Sequence, residues 1–103
     1  MSKASLEIGT ESVGGRVKIT VSGELELASA PVLAAELRRH TRSGQPVELD
    51  LRSVSFMDSS GIQLLIDAHR GAEDTPGSLR IAQASAAVRR LLGLVGMERF
   101  LPS

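Results

Sequence analysis

The sequence contains no cysteine, tryptophan or tyrosine, and its only aromatic residues are Phe56 and Phe100. Without cysteine, a disulfide scaffold, a thiol nucleophile and a cysteine-bound metal site are excluded. With two aromatic rings, the core has to be built from Leu, Val, Ile and Ala. No apolar run approaches the roughly 20 residues that cross a bilayer, and the N-terminus lacks the apolar segment of a signal peptide. These absences predict a soluble, cytoplasmic protein without membrane contact.

An excess of one charge is also missing, because twelve basic residues balance twelve acidic ones. We therefore expect no direct nucleic-acid partner. The densest basic stretch, residues 38–42, falls near the predicted end of a helix, where cations complement the helix dipole. A chain of 103 residues suffices for one core, which predicts a single domain over residues 1–103.

Hydrophobic periodicity predicts the element order β-β-α-β-α-β-α. Two glycines between the first two alternating stretches indicate a hairpin, and the later alternation of strands and helices implies parallel pairs with right-handed crossovers. Ser29 and Ser85 are predicted caps of the first and third helices, and residues 99–101 are a possible last strand. The predicted fold is α/β, a mixed sheet of four to five strands opened by a β-hairpin, with three helices packed on it. The predicted strands are residues 5–13, 16–22, 47–51 and 79–82.

One stretch, "SFMDSSGIQLLI" at residues 55–66, places an acid and two serines before an apolar run. Asp58, Ser59 and Ser60 are typical of a helix N-terminus, where side-chain oxygens accept hydrogen bonds from free backbone N–H groups. From these residues alone, capping is the favoured interpretation.

The topology brings a second stretch to this motif. The second and third predicted strands are parallel, so "SGELEL" and "SFMDSSG", which follow them, leave the sheet at the same edge. Ligand and partner surfaces favour this edge in open α/β sheets. We therefore expect Glu24 and Glu26 to lie at one rim with Asp58, Ser59 and Ser60.

A catalytic serine is a second interpretation of the motif, and the sequence argues against it. Such a serine needs a base, usually histidine, and an oxyanion site, and "DSSG" is not the G-x-S-x-G elbow. His69 lies roughly 15 Å along the same predicted helix from Ser59 at 1.5 Å per residue, and His40 is expected at the opposite side of the sheet. Two histidines and no cysteine also disfavour a transition-metal site. We expect no enzyme activity, no cofactor and no metal.

A phosphorylated serine is the third interpretation. Phosphate adds about −1.5 to −2 charges, which at a helix N-terminus meet free N–H groups and the positive end of the dipole. The modification would leave the domain folded while adding bulk and charge beside Asp58. A partner fitted to the bare rim would then lose contact or meet a repulsive group.

The stretches "VSGELELASAPVL", "VELDLRSVSFMDSSGIQLLI" and "ASAAVRRLLGLVGMERFL" resemble the STAS domain, and more narrowly the bacterial anti-sigma-factor antagonists, over about residues 5–101. The resemblance implies a protein that binds an anti-sigma factor, often also a serine kinase of the histidine-kinase-like ATPase class, and so releases the sigma factor. It implies that this kinase phosphorylates Ser59, with Ser60 as the alternative. Binding would then be lost, and a PP2C-type phosphatase would restore it.

The resemblance also assigns roles within the rim. Asp58 would support recognition and acceptor geometry, while Ser60 and Gly61 would shape the helix start, where a side chain at 61 would obstruct the partner. Glu26 stands where the family frequently has aspartate, and its carboxylate, one methylene further out, keeps a contact role. Gln63 stands where the family often has glycine, which predicts an altered partner choice. The expected partner-binding residues are Glu24, Glu26, Asp58, Ser59, Ser60, Gly61 and Gln63.

Other functions stay open at this point. A non-switched STAS scaffold or transporter-associated subunit would use Ser59 only as a cap. The same rim would also suit a small ligand or a nucleotide. An independent hydrolase is the remaining alternative.

Overall fold

The computed structural model describes residues 6–71 and 79–102. The element order confirms the predicted β-β-α-β-α-β-α arrangement, and the chain closes with a 3₁₀ turn where a last strand had been possible. The strands are β1 (Leu6–Val13), β2 (Arg16–Leu25), β3 (Val47–Met57) and β4 (Leu79–Ala84). The helices are α1 (Ala30–Thr41), α2 (Ser59–Gly71), α3 (Ala86–Leu94) and the 3₁₀ turn (Glu98–Phe100).

The four strands form one mixed sheet in the order β1-β2-β3-β4. β1 and β2 pair antiparallel around Gly14 and Gly15, whose φ angles of 58° and 82° are those that a type I′ hairpin turn requires. β2, β3 and β4 are parallel neighbours. The predicted opening hairpin and both predicted parallel pairs are therefore confirmed.

One face of this sheet carries the core. Along β2, Val17, Ile19 and Val21 are fully buried, whereas Lys18 and Thr20 point to the other face and are more exposed. The three helices cover the buried face with aliphatic side chains, each of which contributes about 1.5–3 kcal/mol when fully buried. Among the described residues, the core side chains are all aliphatic or methionine, as the scarcity of aromatic residues predicted. The helix side chains in this core include Leu33, Leu37, Leu64, Leu65, Val88 and Leu92.

β3 extends to residue 57, six residues beyond its predicted end. The stretch "RSVSFM" had been predicted as a connection because the alternation of apolar residues breaks after Leu51. Two register shifts against β2 explain the break, since each inserts one extra residue into β3. At the first shift, the buried Asp50 accepts a hydrogen bond from the backbone N–H of Arg52 at 2.9 Å. The strand then returns Val54 and Met57 to the core and ends directly before the motif.

α3 begins at the Ser85 cap that its sequence predicts and ends in a glycine cap. The Ser85 Oγ accepts a hydrogen bond from the backbone N–H of Val88 at 3.2 Å. At the other end Gly96 has a φ of 73°, and the Met97 N–H donates to the Leu92 carbonyl at 2.8 Å. This is the bonding pattern of a Schellman cap, in which glycine takes the left-handed position.

Candidate functional site

The motif leaves the sheet where β2 and β3 both end. Glu24 pairs with Phe56 and Leu25 with Met57, and the Asp58 N–H donates to the Leu25 carbonyl at 3.2 Å. The two stretches that the sequence predicted to meet therefore do lie together. We call residues 24–29 and 56–63 the rim.

Asp58 caps α2 from the position directly before its first residue. Its Oδ1 accepts a hydrogen bond from the Ser60 N–H at 2.8 Å. Its carbonyl accepts bonds from the N–H groups of Gly61 and Ile62 at 3.0 and 3.4 Å. The predicted cap is confirmed for the acid, while the two serines lie inside the first turn.

The two serines of the motif differ in accessibility. Ser59 is the first residue of α2 and is exposed. Ser60 is half-buried and lines a cleft of about 280 Å³ between α1 and α2, together with Leu27 and Gln63. The Ser59 hydroxyl is the one that a large partner reaches more easily.

The two glutamates of the rim also differ. Glu24 is exposed. Glu26 is half-buried, and its Oε1 accepts hydrogen bonds from the backbone N–H groups of Ala28 and Ser29 at 2.9 and 3.1 Å. The carboxylate of Glu26 therefore holds the turn between β2 and α1 in shape, a role that the sequence did not indicate.

Ser29 does not cap α1 with its side chain, and that prediction is wrong. Its backbone is already helical (φ −97°, ψ −22°), whereas a capping residue is usually extended. The buried hydroxyl turns back instead, donates to the Glu24 carbonyl at 2.7 Å and accepts from the Glu26 N–H at 3.0 Å. Ser29 and Glu26 together close the turn that presents Leu27.

Gly61 and Gln63 lie on opposite sides of α2. Gln63 is exposed, and its Nε2 donates to Asp67 Oδ1 at 2.9 Å. Gly61 is buried, and a side chain there would meet Met57 and Leu25 inside the domain. A side chain at 61, which was expected to obstruct the partner, would therefore first disturb packing inside the domain.

The rim and its surroundings carry exposed apolar side chains. Leu27 and Leu94 are each 75% exposed and Phe56 is 50% exposed. Phe56 shares a shallow cleft of about 250 Å³ with α3, including Arg90 and Leu94. Exposed apolar groups beside polar residues, as in this cleft, are typical of protein contact surfaces. The exposure of these residues was not predicted from the sequence, although Phe56 stands out as an aromatic residue two positions before Asp58.

Both histidines have packing partners away from the motif. The His40 Nε2 lies 3.0 Å from Glu36 Oε2 near the end of α1. His69 stacks on Phe100 with 4.3 Å between ring centroids, and burial, with a smaller effect of the Arg99 charge, lowers the pKa of its imidazole.

Within residues 6–71 and 79–102, no group of three or more His, Cys, Asp or Glu side chains is arranged to hold a metal ion. None of the helices over these residues is both long and apolar enough to cross a membrane.

The fold has counterparts among known proteins. The anti-sigma-B factor antagonist of Bacillus subtilis is 28% identical over 82 residues, covering 80% of this chain and 75% of the relative. An anti-sigma factor antagonist from Mycobacterium paratuberculosis has a TM-score of 0.81 at 25% identity, over 95% of this chain and 84% of that one.

A third counterpart, the Bacillus protein SpoIIAA, shares the fold in two states. At 23% identity and 93% coverage of this chain, its unphosphorylated form has a TM-score of 0.77 over 86% of SpoIIAA, and its phosphorylated form 0.72 over 89%. Residues 8–102 match the family model described as "Mlab, STAS domain". Because this match spans most of the sequence, the chain belongs to the STAS domain family.

Proposed function

We propose that this protein is an anti-sigma-factor antagonist that is switched off by phosphorylation of Ser59. It binds an anti-sigma factor through the rim and so releases the sigma factor. The anti-sigma factor is itself a serine kinase of the histidine-kinase-like ATPase class, and it phosphorylates Ser59 to end the binding. The observation that carries the proposal is the exposed Ser59 at the start of an Asp58-capped helix, in a chain whose relatives are named as antagonists.

The charge of the rim supports this mechanism. Residues 24–29 and 56–63 include three acids, Glu24, Glu26 and Asp58, and no basic residue. A phosphate on Ser59 would make the net charge of the rim more negative, from −3 to about −5. Release follows because the phosphate fills space at a fitted contact and replaces a neutral hydroxyl with a heavily hydrated group.

The domain itself is expected to tolerate the phosphate. Ser59 lies at the positive end of the α2 dipole, which favours an anion. SpoIIAA, which has the same fold, has been solved in a phosphorylated form. Because Ser59 is exposed, a phosphatase of the PP2C type would have access to reset the switch.

Site-specific phosphorylation tests the proposal. The protein is incubated with ATP and each anti-sigma kinase encoded in its own genome, and the phosphate is located by mass spectrometry. We expect phosphate on Ser59 in the wild type and in Ser60→Ala, and none in Ser59→Ala, which should still bind the anti-sigma factor. Phosphate on Ser60 alone would refute the assignment of the acceptor.

The same proteins test the consequence of the charge. Ser59→Asp should weaken binding of the anti-sigma factor by roughly tenfold or more, which corresponds to about 1.4 kcal/mol. Ser59→Asn, of similar size but neutral, is the matched control and should bind more tightly than Ser59→Asp. Capture of a transporter ATPase and no anti-sigma factor by the wild-type protein would instead support a non-switched scaffold.

A further inference from the structure

Gly61 packs against the ends of β2 and β3 more closely than any other residue type would permit. A methyl group in place of its hydrogen would lie 2.8 Å from Met57 Sδ, closer still to Met57 Cγ, and 3.2 Å from Leu25 Cδ2. Gly61 has an ordinary helical backbone outside the positive-φ region. Its lack of a side chain is therefore required by close packing and not by backbone conformation.

The turn that contains Gly61 also carries Ser59. The Gly61 N–H donates to the Asp58 carbonyl at 3.0 Å, and the Asp58 N–H donates to the Leu25 carbonyl at 3.2 Å. The Ser60 N–H is held by the Asp58 side chain. These bonds make the first turn of α2 one unit, so a shift of Gly61 away from the sheet would displace Ser59 with it.

We propose that Gly61 is a positioning residue for the Ser59 hydroxyl. Its missing side chain lets the first turn of α2 lie directly on Met57 and Leu25. That contact sets the location of the hydroxyl relative to Glu24 and to the turn held by Glu26. This inference rests on the proposed role of Ser59 as phosphate acceptor.

The close contact is mainly with a methionine side chain, which is unbranched and adaptable. In Gly61→Ala, Met57 can move partly aside, so the domain should stay folded while the first turn shifts. Gly93→Ala is the matched control, because Gly93 is also helical and the nearest atom to an added methyl group, Glu98 Oε2, lies 4.0 Å away. Met57→Ala combined with Gly61→Ala removes both of the closest atoms and should restore the position of the turn.

Amide hydrogen exchange measures this position without a kinase. We expect Gly61→Ala to lose protection at the Ser60 and Asp58 N–H groups, while the amides of α3 keep theirs. Gly93→Ala should leave the Ser60 and Asp58 amides unchanged, and the double variant should recover them. Wild-type protection at both amides in Gly61→Ala would overturn the positioning role, even if Ser59 proves to be the acceptor.

Kinetics of Ser59 phosphorylation then separate positioning from stability. The kinase is the one that modifies the wild-type protein in the mass-spectrometric experiment. We expect kcat to fall by roughly 10- to 100-fold in Gly61→Ala, since a misplacement of about 1 Å can cost about 100-fold, and to recover in the double variant. An unchanged kcat would overturn the inference. If no kinase modifies wild-type Ser59, the proposed function fails, and the exchange data alone decide whether Gly61 positions the turn.

Discussion

At the scale of single residues, the rim depends on two carboxylates that bond to backbone N–H groups. Asp58 satisfies the Ser60 N–H at the start of α2, and Glu26 satisfies those of Ala28 and Ser29 in the preceding turn. Both acids therefore shape the surface on which Ser59 is displayed. The capping role of Asp58 was predictable from its place before an apolar run, whereas the role of Glu26 depends on how the chain folds back after β2.

The cap predicts a specific pattern of stability. Asp58→Ala should lower the free energy of unfolding by about 1 kcal/mol, the usual cost of losing an N-cap side chain. Asp58→Asn keeps an oxygen in the same place and should lose much less. Urea denaturation of the three proteins measures the difference, and equal losses in both variants would show that the charge, and not the cap, stabilises the helix.

At the scale of secondary-structure elements, the polar face of the sheet carries an ion-pair cluster across β2, β3 and β4. Glu48 Oε2 lies 2.6 Å from Arg16 Nη1 and 2.7 Å from Arg80 Nη2. The hydrogen bond from Arg80, together with that from Arg16, outweighs desolvation and holds the pKa of the Glu48 carboxyl below its ordinary value of 4.5. All three side chains contact solvent, so the cluster is open to screening by salt.

This lowered pKa gives a pH dependence with a definite sign. The folded state binds the Glu48 proton less readily than the unfolded state does, so the contribution to stability is present above pH 4.5. It is lost as the pH falls from 4.5 through the folded-state value. Urea denaturation of Glu48→Gln should therefore show a weaker loss of stability over this acid range than the wild type, most clearly at low salt.

The control for that measurement is Glu24→Gln, since Glu24 forms no ion pair within the described residues. It should follow the wild-type pH profile. A Glu48→Gln profile that also matches the wild type would contradict the contribution of the cluster.

At the same scale, only the first part of β3 was predictable from the sequence. Its first five residues alternate regularly and were predicted as a strand, but the two extra residues after Asp50 break the alternation. A bulge of this kind is set by the register with the neighbouring strand, which is a long-range property. The burial of Gly61 was not predictable either, because its contacts with Leu25 and Met57 exist only once β2 and β3 lie side by side.

At the scale of the whole molecule, the parallel arrangement of β2 and β3 is what joins two distant stretches of chain into one rim. That arrangement was predictable, since the alternation of strands and helices leaves few topologies. The exposure of Phe56 and Leu27 within the rim was not predictable, because apolar periodicity predicts burial and gives no signal for an apolar residue left in solvent. The proposed switch is thus confined to one edge of the sheet.

The most direct test of the proposed Ser59 switch compares the affinity for the anti-sigma factor before and after stoichiometric phosphorylation of Ser59. The melting temperature is measured on the same samples. We expect the affinity of the phosphorylated protein for the anti-sigma factor to be lower by roughly tenfold or more, a loss of about 1.4 kcal/mol. Its melting temperature should stay close to that of the unmodified protein. Equal affinity of the two forms would contradict the switch. A loss of binding that accompanies unfolding would contradict the mechanism by which the phosphate acts.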